Sequence, residues 1–309
     1  MRLLLFVRKT LRDCSSPKLL LAFLLPYYGL AVLFSVGITS NVADDFADAP
    51  LFTQEQTLIE LYSQVSFLWL VAGPMLFIAV LAALVVAGEA ETGTYQLLLS
   101  KPVRRWEVLV GKFVGITLFG FLATVSGLLV GAVAIYVGAG ASPAALSGSI
   151  GRLLPGNVLY ALVVSTFVAA VGTVAAVMTE SRLKAALVTA LLPVLFFAFI
   201  FVRLLPAGDI YENYFLYVVD LNYHLGNLYV ATQSAVGTSF NPATQQSFAV
   251  VSGVYDIDAT WRDPVLDGIV GSVPLAGHVP VAVSVGVVLV LTVGLFAGAI
   301  RQFERMDID

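Results

Sequence analysis

The hydrophobic positions along this chain fall into long unbroken runs rather than into stripes or strict alternation. Six runs reach the roughly 20 apolar residues that a helix needs to cross a hydrocarbon layer. They are Leu19–Thr39, Val65–Ala87, Phe113–Val137, Val158–Met178, Leu183–Leu205 and Pro280–Ile300. A membrane β-barrel would instead show alternating segments of about ten residues, and these runs are apolar on every side. Helices also satisfy their own backbone hydrogen bonds in lipid. The pattern predicts an all-α integral membrane protein, one transmembrane domain over residues 1–309 with six transmembrane helices. Pro26, Pro74 and Pro193 fall inside runs and are expected to kink them.

The stretches between the runs are less uniform. Residues 206–279, ahead of the last run, form the longest non-spanning segment. Within it Tyr214, Val218, Leu221, Leu225 and Leu228 make a helical apolar stripe. A crossing there would leave Asp220, Asn222, His224 and Asn227 unpaired in lipid. An interfacial or re-entrant helix over 214–235 is therefore expected, with Tyr211, Tyr214, Tyr217, Tyr223 and Tyr229 at headgroup level. Val250–Ile257 reads as a short strand. At the other end, Met1–Ser16 places Leu4, Val7, Leu11 and Cys14 on one face and Arg8, Lys9 and Arg12 elsewhere. That predicts a short helix lying on the inner membrane surface. Ser16-Pro17 suits the start of the first span. This first run is longer than a signal-peptide core and lacks a clear small-x-small cleavage site, so it is expected to stay as a span.

Composition agrees with this class: 59% of residues are hydrophobic and 12% charged, against about 25% charged in a soluble domain. Charge adds an orientation. Arg2, Arg8, Lys9, Arg12 and Lys18 precede the first run. Lys101, Arg104, Arg105 and Lys112 lie between the second and third. Arg182 and Lys184 lie between the fourth and fifth, and Arg301 and Arg305 follow the sixth. Thirteen of the 16 basic residues thus share one side, and Arg152, Arg203 and Arg262 fall on the other. The positive-inside rule predicts that both termini are cytoplasmic, in the plasma membrane, with 206–279 as a large external loop. Asp44, Asp45, Asp48, Asp256, Asp258, Asp263 and Asp267 are then external.

Candidate chemistry is sparse. His224 and His278 are the two histidines, and neither sits in a metal-ligand spacing. The aspartates of 256–267 lack the twelve-residue calcium-loop pattern. There is no Gly-x-Ser-x-Gly elbow. Gly111-Lys112 lacks the upstream glycine of a phosphate-binding loop. No catalytic residue, metal or cofactor is expected. Cys14 stands alone, so no disulfide forms within the chain. An ion-coupled carrier usually buries ionisable groups within its spans; these runs carry almost none.

The informative segment lies between the second and third runs, Gly88 to Lys112. It holds Glu89, Glu91, Gly93-Thr94, the leucines Leu97–Leu99, then Ser100, Pro102, Arg104 and Arg105. By physics alone it is a short amphipathic helix with Glu89 and Glu91 at its start, a break at Pro102, and a basic lead held at anionic headgroups by Arg104, Arg105 and Lys112. A simple membrane-anchoring loop accounts for the same residues.

The order Glu-x-Glu, Gly-Thr, leucine run, Ser-x-Pro, Arg, Gly-Lys resembles the first cytoplasmic loop of ABC transporter permeases of the type-2 export family. Ala90 departs from that pattern, in which a basic residue often separates the two glutamates. The resemblance implies that the loop is a coupling helix docking on a separate ABC ATPase subunit. Glu89, Glu91, Gly93, Thr94, Leu97, Leu98, Ser100, Pro102, Arg104 and Arg105 would form the coupling surface. It further implies an exporter, with a second permease copy as homodimer or heterodimer partner, surrounding membrane lipid and no nucleic acid. The alternative of another class is an ion-coupled or passive membrane carrier without an ATPase partner. The small-xxx-small pairs Gly111/Gly115, Gly127/Gly131 and Gly294/Gly298 fit close helix approach or chance in a chain with 26 glycines.

Overall fold

A computed structural model describes residues 2–40, 42, 46–93, 95, 103–204, 209–256 and 273–306. Among these the chain is helical throughout, and six helices are long and apolar enough to cross a membrane. We number the helices α1 (Arg2–Cys14), α2 (Pro17–Thr39), α3 (Leu51–Glu91), α4 (Arg105–Ala139), α5 (Pro143–Gly148) and α6 (Ile150–Thr179). Then follow α7 (Arg182–Ala190), α8 (Leu192–Leu204), α9 (Asp209–Asn213), α10 (Leu221–Ala235), α11 (Pro242–Ser252) and α12 (Val281–Arg305).

α3 and α6 make the centre of the bundle, and α2, α7, α8 and α12 leave most of their apolar surface exposed. Small residues let the two central helices meet. A Cβ at Gly172 would lie 2.6 Å from the Ala79 carbonyl oxygen and 2.6 Å from the Ala82 Cβ. Without aqueous hydrophobic drive between spans, such close backbone contact supplies the van der Waals attraction.

The prolines act differently from one another. α3 runs unbroken through Pro74. In α2, a π turn at Leu20–Leu24 comes just before Pro26. Because Pro26 carries no N–H for the normal ladder, a local adjustment there is the expected response. The fifth span is divided at Leu191 between α7 and α8, with Pro193 at the second position of α8. Here the proline removes the hydrogen bond that would have tied the halves together.

α3 has 41 residues, so it is about 60 Å long at 1.5 Å per residue, twice the hydrocarbon thickness. Its first turns precede the apolar run at Val65, bury Leu58 and Tyr62 in protein and organise the connections there. Gln54 is buried; its Nε2 donates to the carbonyls of Ala47 (3.0 Å) and Ala49 (2.9 Å), and its Oε1 accepts from the Ser142 N–H (2.8 Å). One amide thus ties together the connections before α3 and before α5.

The segment before the last span differs from its sequence reading. No continuous helix covers 214–235. Tyr214 and Val218 are exposed, a 3-10 turn spans Leu216–Val218, and α10 starts only at Leu221. Asp220 sets that start: its carboxylate accepts from the Asn222 N–H at 2.9 Å, an N-cap. α10 is packed into protein on most sides, and its polar residues have partners. Asn227 Nδ2 donates to the Val279 carbonyl (3.1 Å) and to Ser284 Oγ (3.0 Å), and His224 Nδ1 lies 3.0 Å from Ser284 Oγ. Tyr229 Oη and Ser66 Oγ are 2.9 Å apart, and Tyr160 donates to the Leu225 carbonyl at 3.0 Å. Asp220, Asn222, His224 and Asn227 thus each find at least one partner in protein, although Asn222 Oδ1 and Gln233 Oε1 are buried without one among the described residues. The 15 residues of α10, about 22 Å, still fall short of a hydrocarbon layer of about 30 Å. The strand expected at Val250–Ile257 does not form among the described residues of that stretch: Val250–Ser252 close α11, and Tyr255 makes an isolated antiparallel bridge to Leu275, while Ile257 lies outside the described residues. Among the expected external acids, Asp44, Asp45, Asp258, Asp263 and Asp267 lie outside the described residues.

Candidate functional site: the flanks of the segment between α3 and α4

The segment singled out by sequence joins the end of α3 to the start of α4. We call this the basal end of the bundle. Thr94, Leu97, Leu98, Ser100 and Pro102 lie outside the described residues. The flanks are described, and each is bonded to a different helix.

Glu89 and Glu91 sit in the last turn of α3, not at the start of a separate loop helix. Gly93 follows the Thr92 cap with φ +64°, the left-handed conformation that stops helices and favours glycine. A side chain there would strain the turn that releases the segment from α3.

Glu89 is the hub. Its Oε2 lies 2.6 Å from Lys112 Nζ on α4, and its Oε1 accepts from Lys9 of α1. The Lys112 side chain is only 3% exposed and that of Glu89 13%, whereas Lys9 is 40% exposed. Lys112 Nζ also reaches the Val85 carbonyl (3.3 Å) and lies 4.9 Å from the centre of the Tyr95 ring, over its face. Tyr95 in turn donates to the Val86 carbonyl at 3.0 Å and meets Phe303 of α12 edge-on at 5.0 Å. Burial, reinforced by the nearby Glu89 carboxylate, holds the Tyr95 phenol well above its ordinary range. It remains a neutral donor in this cluster.

Glu91 makes a second tie. Its Oε1 accepts the Arg182 N–H at 2.7 Å and its Oε2 lies 3.3 Å from Arg182 Nε. The same guanidinium donates to the Gly88 carbonyl at 3.0 Å. A carboxylate at the start of α7 is favoured by the unpaired N–H groups and the dipole there. On the other flank Arg105 Nη1 donates to the carbonyls of Met306 (2.6 Å) and Glu304 (3.2 Å), satisfying groups at the end of α12. The Arg104 N–H reaches Glu107 at 3.3 Å, and the Arg104 side chain is exposed.

The headgroup role expected for Arg104, Arg105 and Lys112 thus divides. Lys112 is buried on Glu89 and Arg105 serves α12, which leaves Arg104 at the surface. α1 is also corrected. It packs on α4 where Gly111 and Gly115 leave room: added Cβ atoms would come within 2.4 Å of Phe6 Cβ and 2.8 Å of Thr10 Cβ. The docked face centres on Phe6, Thr10 and Cys14, while Leu4 of the expected stripe is exposed. Gly127 likewise receives Tyr27 and Gly131 lies near Ser35, whereas Gly294 and Gly298 face open space. Cys14 is 1% exposed, and burial, helped by Asp13, pushes its thiol up to about 12.

Sequence reasoning placed Lys112 at the headgroups rather than on Glu89, and missed Lys9, Tyr95 and Arg182 as members of this site. One signal was available for Lys112: an ammonium at the edge of an apolar run needs a partner, and Glu89 is the acid one loop away. Among the described residues no group of His, Cys, Asp or Glu is arranged to hold a metal. The arrangement links both flanks of the segment to other helices through charged groups: Glu89, Glu91 and Arg105 tie them to α1, α4, α7 and α12.

Comparison with known proteins bears on this directly. The family model described as ABC-2 family transporter protein matches residues 18–308. No curated protein matches the chain.

Proposed function

Since the chain belongs to the ABC-2 transporter family and is a multi-pass permease component, we propose that it is half of an exporter driven by a separate ATP-binding subunit. That subunit docks on the 88–112 segment. Two permease copies, identical or similar, complete the path in the plasma membrane. Both termini and the 88–112 segment face the cytoplasm, and 206–279 faces outward. The observation that carries the coupling role is the bonding of both flanks of the segment to different helices. Glu89 holds α1 and α4, Glu91 holds α7, and Arg105 holds α12. A membrane anchor needs no such ties; a lever does. ATP hydrolysis belongs to the partner, and this chain supplies the moving walls.

Two variants test the docking. Glu91→Lys reverses a charge on a half-exposed pair, which contributes at most about 1 kcal/mol to stability, so insertion and folding survive. Leu98→Asp places a charge where the leucine run would enter an apolar groove on the ATPase, and a buried anchor of this kind typically changes affinity tenfold or more. Both are expected to insert normally and to lose co-purification with the ATPase subunit or substrate-stimulated hydrolysis. Wild-type association and turnover in both would leave only an anchoring role.

Orientation has its own test, made simple by the buried thiol of Cys14. The native protein is expected to resist a maleimide at neutral pH, because the thiolate is the reactive form. A cysteine at the exposed Arg104 then reports alone. In intact cells it should stay unlabelled by an impermeant maleimide and become labelled after permeabilisation. Labelling of Arg104→Cys from outside would reverse the topology.

A further inference from the structure

Two recesses on one flank of the bundle adjoin and differ in polarity. The larger, about 760 Å³, is a trough between α2, α3 and α8; Leu33, Phe34, Trp69, Leu76, Phe77 and Phe197 are among its walls. The second, about 470 Å³, lies between α3 and α11 and carries Gln64, Gln246 and Ser247 beside Phe67 and Phe248. Gln64 and Leu68 line both, so the two recesses meet at one turn of α3. We propose that they form a single site for an amphiphile: an alkyl chain in the trough, and an uncharged hydroxyl- or amide-bearing head among Gln64, Gln246 and Ser247. This names a substrate class and rests on the permease reading.

Size, polarity and length support the assignment. Each volume lies within the roughly 300–1,000 Å³ of small-molecule sites. From Gln64 to Phe77 the trough follows α3 for about 20 Å at 1.5 Å per residue, longer than half of a hydrocarbon layer of about 30 Å. That depth suits an alkyl chain. The polar end selects the head. Gln64 Nε2 donates to Ser247 Oγ at 3.0 Å, while Gln246 makes no side-chain hydrogen bond to a described residue. An amide and a hydroxyl offer both donors and acceptors. Among the described residues no charged side chain lines either recess. Arg203, which reaches the carbonyl of Val251 beside the smaller recess, is already committed to Asp220 and to that carbonyl. An ionic head would lose its hydration with no counter-charge to replace it. A hydroxylated neutral head exchanges water for the two amides and the serine. A second copy of this chain laid over the trough would fill the apolar part and leave the polar end without purpose.

The full-length protein in phosphatidylcholine vesicles can be tested with a diazirine-bearing monoacylglycerol, crosslinks being mapped by mass spectrometry. A diazirine fatty acid and a diazirine alkane serve as charged-head and headless controls. Saturable labelling of trough residues by the glycerol-headed probe is expected, at least tenfold above either control. Gln64→Leu should weaken apparent affinity about tenfold, the loss of one good hydrogen bond. Ala72→Trp should abolish labelling by filling the trough. Gln64→Leu leaves the apolar volume in place, so the test stands if Ala72→Trp fails to fold. Equal labelling by all three probes, extending to the exposed Leu122 and Val133 of α4, would mean bulk lipid and overturn the site. So would disulfide formation between two Phe34→Cys copies with the trough unlabelled. Co-purification of the ATPase subunit with Gln64→Leu is scored separately. Absence of saturable labelling in the wild-type protein, or unchanged labelling in Gln64→Leu, with the ATPase association intact refutes the site alone, whereas saturable labelling without any ATPase partner refutes the permease reading alone.

Discussion

Glu89→Gln is expected to lower stability by about 3 kcal/mol, the lower end of what removing one partner from a buried ion pair costs, and to uncouple any bound ATPase. The lower end applies because the Glu89 side chain keeps 13% of its exposure and Lys9, at 40%, can return to water. Lys112 cannot: it is 3% exposed, with one carbonyl and one aromatic face left as partners. An amide leaves that ammonium without a counter-charge, and the α3–α4 contact is what weakens. Lys112→Met should be milder, because Glu89 keeps Lys9. The double variant Glu89→Gln/Lys112→Met should recover most of the loss, since removing both charges removes the stranded one. Thermal unfolding of the purified protein in detergent reads this as a fall on the order of 10 °C for Glu89→Gln and near-recovery in the double variant. Strict additivity of the two single effects would show that the pair is not coupled. Because α1 is tied to the same carboxylate, Glu89→Gln should also loosen α1 from α4 and admit maleimide to Cys14, an independent readout of the same bond.

Much of the membrane architecture could be read from the chain, and the reason is physical. A helix in lipid must be apolar over about 20 residues, so hydropathy alone locates it. What hydropathy misses is anything that continues a helix outside the lipid. α3 runs 14 residues ahead of Val65, where the second run begins, through Gln54, Leu58 and Tyr62, because protein rather than lipid surrounds it there. The break at Leu191 is different: Pro193 marks it in the sequence, but whether a proline kinks, divides or is absorbed depends on neighbouring helices. Pro74 and Pro193 went separate ways on the same local rule.

The coupling segment was legible only as a pattern. Glu89 and Glu91 stood out by spacing, yet their partners Lys9, Lys112 and Arg182 lie on three other helices, at sequence distances that no local rule connects. The same holds for α10. Tyr229 meets Ser66 across 163 residues, and such pairs decide whether a polar helix is buried or interfacial. Polar residues in an apolar stretch demand partners; the sequence shows the demand and not the partner. Five expected coupling residues, Thr94, Leu97, Leu98, Ser100 and Pro102, fall outside the described residues and stay with the docking experiment.

The second large effect belongs to the opposite end, at Arg203 and Asp220. The guanidinium bonds the Asp220 carboxylate and donates to the Val251 carbonyl at 2.6 Å, while Tyr211 donates to the same carboxylate at 2.8 Å. Four segments meet there: the end of α8, Tyr211 of α9, the cap of α10 and the end of α11. The Asp220 side chain is fully buried. Burial pushes its carboxyl above the ordinary range, and Arg203 and the hydrogen bonds from Tyr211 and Asn222 offset part of that rise. Arg203→Met removes the offset and leaves the burial. The expected loss is about 3–5 kcal/mol at neutral pH, as for other buried pairs broken from one side. The sign with pH follows from the raised folded-state value. The carboxyl's contribution is fully present below the ordinary carboxylate range and is lost as pH rises through the folded value. With Arg203 gone that value climbs further, so the gap between Arg203→Met and wild type should be smallest in mild acid and widen toward neutrality. Asp220→Asn on the Arg203→Met background removes the titrating group while keeping an N-cap, and should flatten the dependence. Apparent melting temperatures across pH, read alongside limited proteolysis of the chain between α8 and α12, measure both. A deficit in Arg203→Met that stays constant with pH would mean that Asp220 does not carry the buried charge, and that the guanidinium acts through the Val251 carbonyl alone.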